Sequence, residues 1–356
     1  MKKSWILFII CLVINMATEI AIDLGTSKTV IASGNKILLE LPSAVTVDSE
    51  TWEPIYFGEK AYQTYGRTPD SLTTVFPIQH GIIAALDAAE AMLSEYVRSV
   101  FGNRISRPKI MVSMPTGVTP IQHHTVANAI ETAGGRNVNV IESPIAAAIG
   151  MNIDFSKPHG SMIVDFGAGC TDIATISMGG IVECESYKTA SRDIDELIMR
   201  YVKKEHNILI GPLTAETIKK QLGSAYERPL QVTMTAKGRN LLTGLPQSFE
   251  ITSSEVYSAT YEALFSICNE VRAVLERTPP DIVGDIKESG IHLTGGGALI
   301  NGFDKLLSEF IGTDVFLADD PTHTVVKGEA IAIKRPELLE NGDYLYRSIK
   351  ELIVEQ

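Results

Sequence analysis

A chain of 356 residues is longer than one hydrophobic core usually serves, so two domains are expected. With 45% hydrophobic and 21% charged residues it is globular, and a formal net charge of -12 leaves no cationic excess to neutralise a nucleic-acid backbone, which excludes nucleic acid as the main partner. Four cysteines (Cys11, Cys170, Cys184, Cys268) show neither a C-x-x-C spacing nor a paired framework, which fits a reducing compartment and excludes a standard zinc site.

In chain order, Lys2 and Lys3 precede an unbroken apolar run over residues 5–14. The run is too short to span a bilayer as a helix, which takes roughly 20 residues. Three readings of it stay open: translation that starts at Met16, an N-terminal membrane anchor, or an export signal. It is apolar on every face, and no small-x-small cleavage site follows it. Next comes Ile20-Ala21-Ile22-Asp23-Leu24-Gly25-Thr26-Ser27, an apolar strand that ends in a carboxylate, a glycine and hydroxyls. Short strands at 29–32, 36–41 and 44–47, punctuated by Gly34, Asn35 and Pro42, read as a small β-rich subdomain. A helix is expected from about 86 to 100, where Leu86, Ala89, Leu93, Tyr96, Val97 and Val100 keep the helical period. The loop 101–109 is basic, with Arg104, Arg107 and Lys109 beside Phe101 and Ile105. A strand at 110–114, a helix at about 120–133 stopped by Gly134-Gly135, and a strand at 138–142 follow. His123 and His124 on that helix read as surface residues. Pro144 suits the first turn of an Ala-rich helix up to Gly150. Strands that alternate with helices in this way indicate an α/β sheet.

The second half repeats the opening. Ile163-Val164-Asp165-Phe166-Gly167-Ala168-Gly169-Cys170-Thr171-Asp172 has the parts of the Asp23 stretch in the same order, 142 positions later (165 minus 23). Backbone N–H groups in a glycine-rich turn suit phosphate oxygens. A carboxylate beside phosphate makes sense mainly with a divalent cation between them, so Asp23 and Asp165 are the candidate metal residues. Two such turns suggest two similar halves facing one nucleotide. Strands at 162–165, 173–177 and 181–187 and helices at about 193–205 and 215–222 come next, then a polar strand pair near 230–235 and 248–251. Thr252 and Glu255 form a plausible capping box for a long helix that ends at Pro279-Pro280. Finally Ile291-His292-Leu293-Thr294 runs into Gly295-Gly296-Gly297, and a helix starts near Gly302.

The two Asp-Gly turns, the stretch Ile141-Glu142-x-Pro144-x-Ala146-Ala147-Ala148-x-Gly150 and Leu293-Thr294-Gly295-Gly296-Gly297 resemble the actin, Hsp70 and sugar-kinase ATPase fold. Ala215-Glu216-Thr217-Ile218-Lys219, Leu241-Leu242-Thr243-Gly244-Leu245-Pro246 and Leu275-Glu276-Arg277-Thr278-Pro279-Pro280 resemble the MreB family of bacterial actins in particular. The resemblance implies an α/β, actin-like ATPase fold: two similar α/β domains around a nucleotide cleft, each with a smaller inserted subdomain. Its domains would be 18–155 with a subdomain at about 33–77, 156–320 with a subdomain at about 189–249, and a segment 321–356 that returns to the first, after an apolar segment 1–17.

Carried over by residue, the resemblance places Thr26, Ser27 and Lys28 on phosphate in the first loop and Gly167, Ala168 and Gly169 in the second. Glu216, Thr217, Ile218 and Lys219 would meet ribose and adenine, and Gly295, Gly296, Gly297 and Ala298 would pack on the base. Glu142 would orient the attacking water, and Asp23 and Asp165 would face magnesium. Departures from the family pattern stand at Lys28, Ala168, Cys170, Ser143 and Ser191-Arg192.

The function implied is an ATP-dependent, filament-forming bacterial actin, with weak magnesium-dependent hydrolysis of ATP to ADP and phosphate coupled to polymerisation. Its partners would be itself in antiparallel paired filaments, the cytoplasmic membrane surface and the cell-wall elongation machinery. It would lie in the cytoplasm on the inner face of that membrane, with the basic loop 101–109 as a lipid contact through Phe101 and Ile105. The alternative is a non-polymerising ATPase of the same superfamily. Against an Hsp70, too few residues follow Gly297 for a substrate domain, and no second carboxylate presents itself as a sugar kinase's base.

Overall fold

The computed structural model describes residues 19–102 and 108–339. Its first half is built on the strand Glu19–Leu24, whose Ile20, Ala21 and Ile22 have no solvent exposure, as a central strand covered on both faces requires. Lys28–Ser33 and then Lys36–Pro42 pair on one side of it, antiparallel. Lys109–Met114 and then Arg136–Glu142 pair on the other side, parallel. The second half uses the same plan around Ser161–Phe166. Thr171–Ser177 and Gly180–Tyr187 are its antiparallel neighbours, and Ile291–Thr294 and Val315–Leu317 its parallel ones. Strand order and polarity match through all five positions, so the echo between the two Asp-Gly turns reflects two halves of one topology. In each half the turn joins the central strand to its first antiparallel neighbour.

A smaller sheet accompanies each half. Pro54–Phe57, Val45–Asp48 and Leu72–Val75 form one, with the short helix Glu59–Thr64 packed on it. Ile208–Leu209, Thr233–Asn240 and Pro246–Thr252 form the other, beside the helices Ser191–His206 and Pro212–Leu222. The capping box is present: Thr252 N–H donates to Glu255 Oε2 at 2.8 Å and Glu255 N–H to Thr252 Oγ1 at 3.2 Å, opening the helix Ser253–Arg277. That helix stops before Pro279, and a separate helix, Pro280–Ser289, begins there without any warning in the sequence reading.

The halves meet where the helices Ser143–Gly150 and Thr324–Ala332 touch backbone to backbone. A Cβ on Gly328 would lie 1.7 Å from the Ala146 carbonyl oxygen, and one on Gly150 would lie 2.1 Å from that of Thr324. Around this crossing one core joins Met111 from the first sheet with Ile163 and Ala174 from the second.

One sequence expectation changes. Phe101 ends the helix Leu86–Phe101 only 9% exposed and belongs to the first core, so it is not available for insertion into lipid. The loop tip that carries Arg104, Ile105 and Arg107 lies outside the described residues, as does the apolar run 5–14. His123 and His124 are partly exposed on the helix Pro120–Thr132, whose buried face is made by Val126, Ala127, Ala129 and Ile130.

Candidate functional site

Both Asp-Gly turns open into one cavity of 760 Å³ between the halves, within the ~300–1,000 Å³ typical of small-ligand sites. Asp23, Thr26, Ser27 and Lys28 line one wall, and Asp165, Gly167, Ala168 and Gly169 the facing one. Gly295, Gly296 and Gly297 close one end, and Glu216 and Lys219 face in from the helix Pro212–Leu222.

The glycines are needed for closeness more than for handedness. Gly169 has no positive φ, yet a Cβ there would lie 2.2 Å from Thr26 Oγ1, so the two turns touch at this point. Gly295 combines both demands, with φ +87 and a Cβ position 2.5 Å from Asp165 Oδ1. Ala168 is not among the positive-φ residues, so its methyl group carries no backbone strain. Other hydrogen bonds fix the turns. Gly81 N–H donates to Thr26 Oγ1 at 3.0 Å, Ser43 Oγ to the Gly25 carbonyl at 2.6 Å, and Arg192 N–H to the Ala168 carbonyl at 3.0 Å.

The electrostatics of the two walls differ. Burial pushes Asp23 up to about 6, and Lys28 and His323 pull against that shift. Burial, Asp172 and Asp23 together push Asp165 well above the ordinary carboxylate range. Asp172 stands directly across the strand pair from Asp165 and is raised to about 6 by burial, with its Oδ1 buried and unpartnered. The Cys170 thiol donates to Asp172 Oδ2 at 3.3 Å and is driven far above its usual range by burial and by Asp172 and Asp165. Among the described residues no group of three or more His, Cys, Asp or Glu side chains converges closely enough to hold a metal unaided. Asp23, Asp165 and Asp172 nevertheless all line the cavity with hard carboxyl oxygens, and Asp172 Oδ1 is buried without a partner. Such a set fits magnesium, which keeps several waters and shares phosphate ligands.

Four sequence candidates are placed elsewhere. Glu142 is not on the cavity wall, although its neighbour Ser143 is. It sits at the start of the helix Ser143–Gly150 without making a side-chain cap bond, raised by burial and by Asp172. Thr217 spends its hydroxyl on the Leu213 carbonyl at 2.8 Å, and Ile218 is wholly buried in the second core. The helical period explains this: Glu216, Lys219, Lys220 and Gly223 share the cavity face, and Thr217 and Ile218 point elsewhere. Ala298 is 3% exposed and also a core residue. The role of Lys219 changes too. Its Nζ lies 2.8 Å from the Ser191 carbonyl, Ser191 Oγ and Asp195 Oδ2, which uses all three ammonium hydrogens within the protein.

Sequence reasoning missed Tyr62, Glu40, Arg192 and Arg228, which also line the cavity. Glu40 pairs with Lys28 and with His323 Nε2, the latter at 3.0 Å, and His323 Nδ1 reaches Asp320 at 3.0 Å. Only the departure at Ser191-Arg192 signalled any of these in advance.

Comparison with known proteins agrees with this geometry. The family profile described as MreB/Mbl protein matches residues 17–341. The chain is 37% identical over 331 residues to the cell shape-determining protein Mbl of Bacillus cereus, covering 92% of this chain and 98% of that one. It is 37% identical over 334 residues to the cell shape-determining protein MreB of Escherichia coli, covering 92% and 96%. Among solved structures, MreB5 of Spiroplasma citri bound to ADP superposes with a TM-score of 0.85 at 33% identity, over 89% of this chain and 96% of that one. A MamK double helical filament shares the fold at a TM-score of 0.75 and 18% identity, over 89% and 99%. Matched halves, a shared cavity and these likenesses give one conclusion: the chain belongs to the MreB/Mbl family and has an actin-like fold.

Proposed function

We propose that the chain binds ATP with magnesium in the cavity and assembles into filaments that organise cell-wall synthesis and rod shape. The observation that carries this reading is the pair of matched Asp-Gly turns, one from each half, facing each other across one cavity. One relative bears on it: two solved structures of Spiroplasma citri MreB5 hold ADP and AMPPNP. Thr26, Ser27 and Lys28 with the loop Gly167-Ala168-Gly169 hold the phosphates, and Glu216 meets the ribose. Gly295, Gly296 and Gly297 let the base lie against backbone. Asp23 and Asp165 would hold magnesium, and the ion would supply the positive charge that the phosphates and carboxylates together need. Lys219 holds the Ser191 loop in place and leaves nucleotide contact to its neighbours. Glu142 stands just behind the cavity wall, next to the lining residue Ser143, feels the charge of Asp172 and makes no cap bond. It is therefore the group to orient, from behind that wall, the water that attacks the terminal phosphate.

Filaments of paired antiparallel strands on the inner face of the cytoplasmic membrane, working with the wall-elongation machinery, complete the reading. No described helix is long and apolar enough to cross a membrane. Sedimentation with ATP and with ADP, followed by electron microscopy and phosphate-release measurement, tests the proposal. Filaments favoured by ATP and slow phosphate release are expected. Phosphate release without any filament supports a non-polymerising ATPase of the same superfamily instead.

A further inference from the structure

We propose that Tyr62 is a positioning residue for the nucleotide's ribose: it acts through Glu216 from the opposite side of the cleft, and Arg192 against Phe76 makes a second strap across the same gap. The inference rests on the ATP reading above. Tyr62 stands on the helix Glu59–Thr64 of the first half and Glu216 on the helix Pro212–Leu222 of the second. Their side chains meet, the Tyr62 hydroxyl donating to Glu216 Oε2 at 2.6 Å. Burial and the Glu216 charge push the Tyr62 pKa upward, so the hydroxyl stays a donor. Lys220 Nζ holds the other carboxylate oxygen at 2.8 Å. Burial opposes ionisation of Glu216, but bonds from Lys220 and Tyr62 outweigh it and keep the carboxyl below its ordinary range. Glu216 is therefore an ionised acceptor held at both oxygens, each with a second lone pair left for ribose hydroxyls.

The second strap uses different chemistry. The Arg192 guanidinium lies 4.1 Å from the Phe76 ring centroid. Phe76 is in turn met edge-on by Tyr65 at 4.7 Å and by Tyr62 at 6.4 Å, which makes an aromatic shelf on the first half. Arg192 also gives its backbone N–H to the Ala168 carbonyl at 3.0 Å, so the strap bears on the loop that faces phosphate. Tyr62, Glu216 and Arg192 all line the cavity. The contacts that close the lips are thus made by the walls that the nucleotide touches, which ties ribose recognition to closure.

Isothermal titration with ATP and with 2′,3′-dideoxy-ATP, on the full chain and on Tyr62→Phe, tests this. The parent should prefer ATP about tenfold through hydroxyl contacts to Glu216. Tyr62→Phe keeps the ring on its shelf and should reduce that preference to about threefold or less, with dideoxy-ATP affinity held within about twofold. Equal weakening for both nucleotides, or full retention of the preference, would overturn the positioning role. A parent that binds ATP without preferring it over the dideoxy form overturns the role as well, whereas a parent that binds neither overturns the nucleotide reading itself. As a second variant, Arg192→Gln should speed release of a fluorescent ATP analogue about fivefold, and an unchanged rate would remove the second strap.

Discussion

The two Asp-Gly turns share topology, but they differ in charge. In the first, Asp23 has Lys28 within reach, and Lys28 is itself steadied by Glu40, which His323 also contacts. In the second, Asp165 faces a further carboxyl, Asp172, across the strand pair, and the Cys170 thiol bonded to Asp172 is neutral and brings no positive charge. One turn carries its own counter-charge and the other lacks one. Under the proposed magnesium-ATP reading the second turn is the more metal-dependent of the two, because only an incoming cation relieves its two buried acids, Asp165 and Asp172.

The largest effect is expected at Glu142, which lies beside Asp172 on the uncompensated side. Glu142→Gln should slow phosphate release at least about tenfold while ATP affinity stays within a few fold, as for a group that matters in the transition state. Unchanged turnover would remove its catalytic role. Next, Lys28→Met takes the counter-charge from the first turn and should weaken magnesium-ATP about fivefold, measured by titration. A variant that binds as tightly as the parent would show that Lys28 serves Glu40 alone.

The pH dependence sharpens the comparison further. Burial raises Asp23 and Asp172 to about 6 from an ordinary value of 3.8, so the ligand-free fold is favoured below the lower value. That contribution is lost as pH rises through about 6. In the proposed reading magnesium-ATP binds the ionised acids, so its stabilising effect should grow over the same window. The rise in melting temperature with magnesium-ATP should be clearly larger at pH 7.5 than at pH 5, and equal rises would contradict the assignment. The smallest effect concerns Cys170. ATP should slow its alkylation a few fold because Cys170 lines the cavity, with Cys184 as the reference whose rate does not change. Equal rates for Cys170 with and without ATP would place the thiol outside the ligand's reach.

What could be read in advance follows from how local each signal is. The Asp23 and Asp165 turns were legible because strand, carboxylate and glycine are contiguous, and their repetition disclosed the paired topology. Thr252 and Glu255 announced a helix start for the same reason. Glu216 and Lys219 were found together with Thr217 and Ile218, although the helical period separates the two pairs onto different faces. Tyr62 could not be found at all, since its partner Glu216 is 154 positions away and no pattern near either residue points to the other. Glu329 is similar: it is fully buried, accepts the Ser113 N–H at 2.9 Å, and enters the acidic group beneath Asp23 only through folding. Its carboxyl is raised far above normal by burial and by Asp23, a condition that sequence spacing does not express.

In the proposed function magnesium joins the nucleotide to the second turn. Titration of ATP into the parent and into Asp165→Asn, each in magnesium and in EDTA, tests it most directly. The substitution should weaken binding at least about tenfold in magnesium and less than about twofold in EDTA. An equal loss in both conditions would contradict it, and would mark Asp165 as a carboxylate that only shapes its own turn.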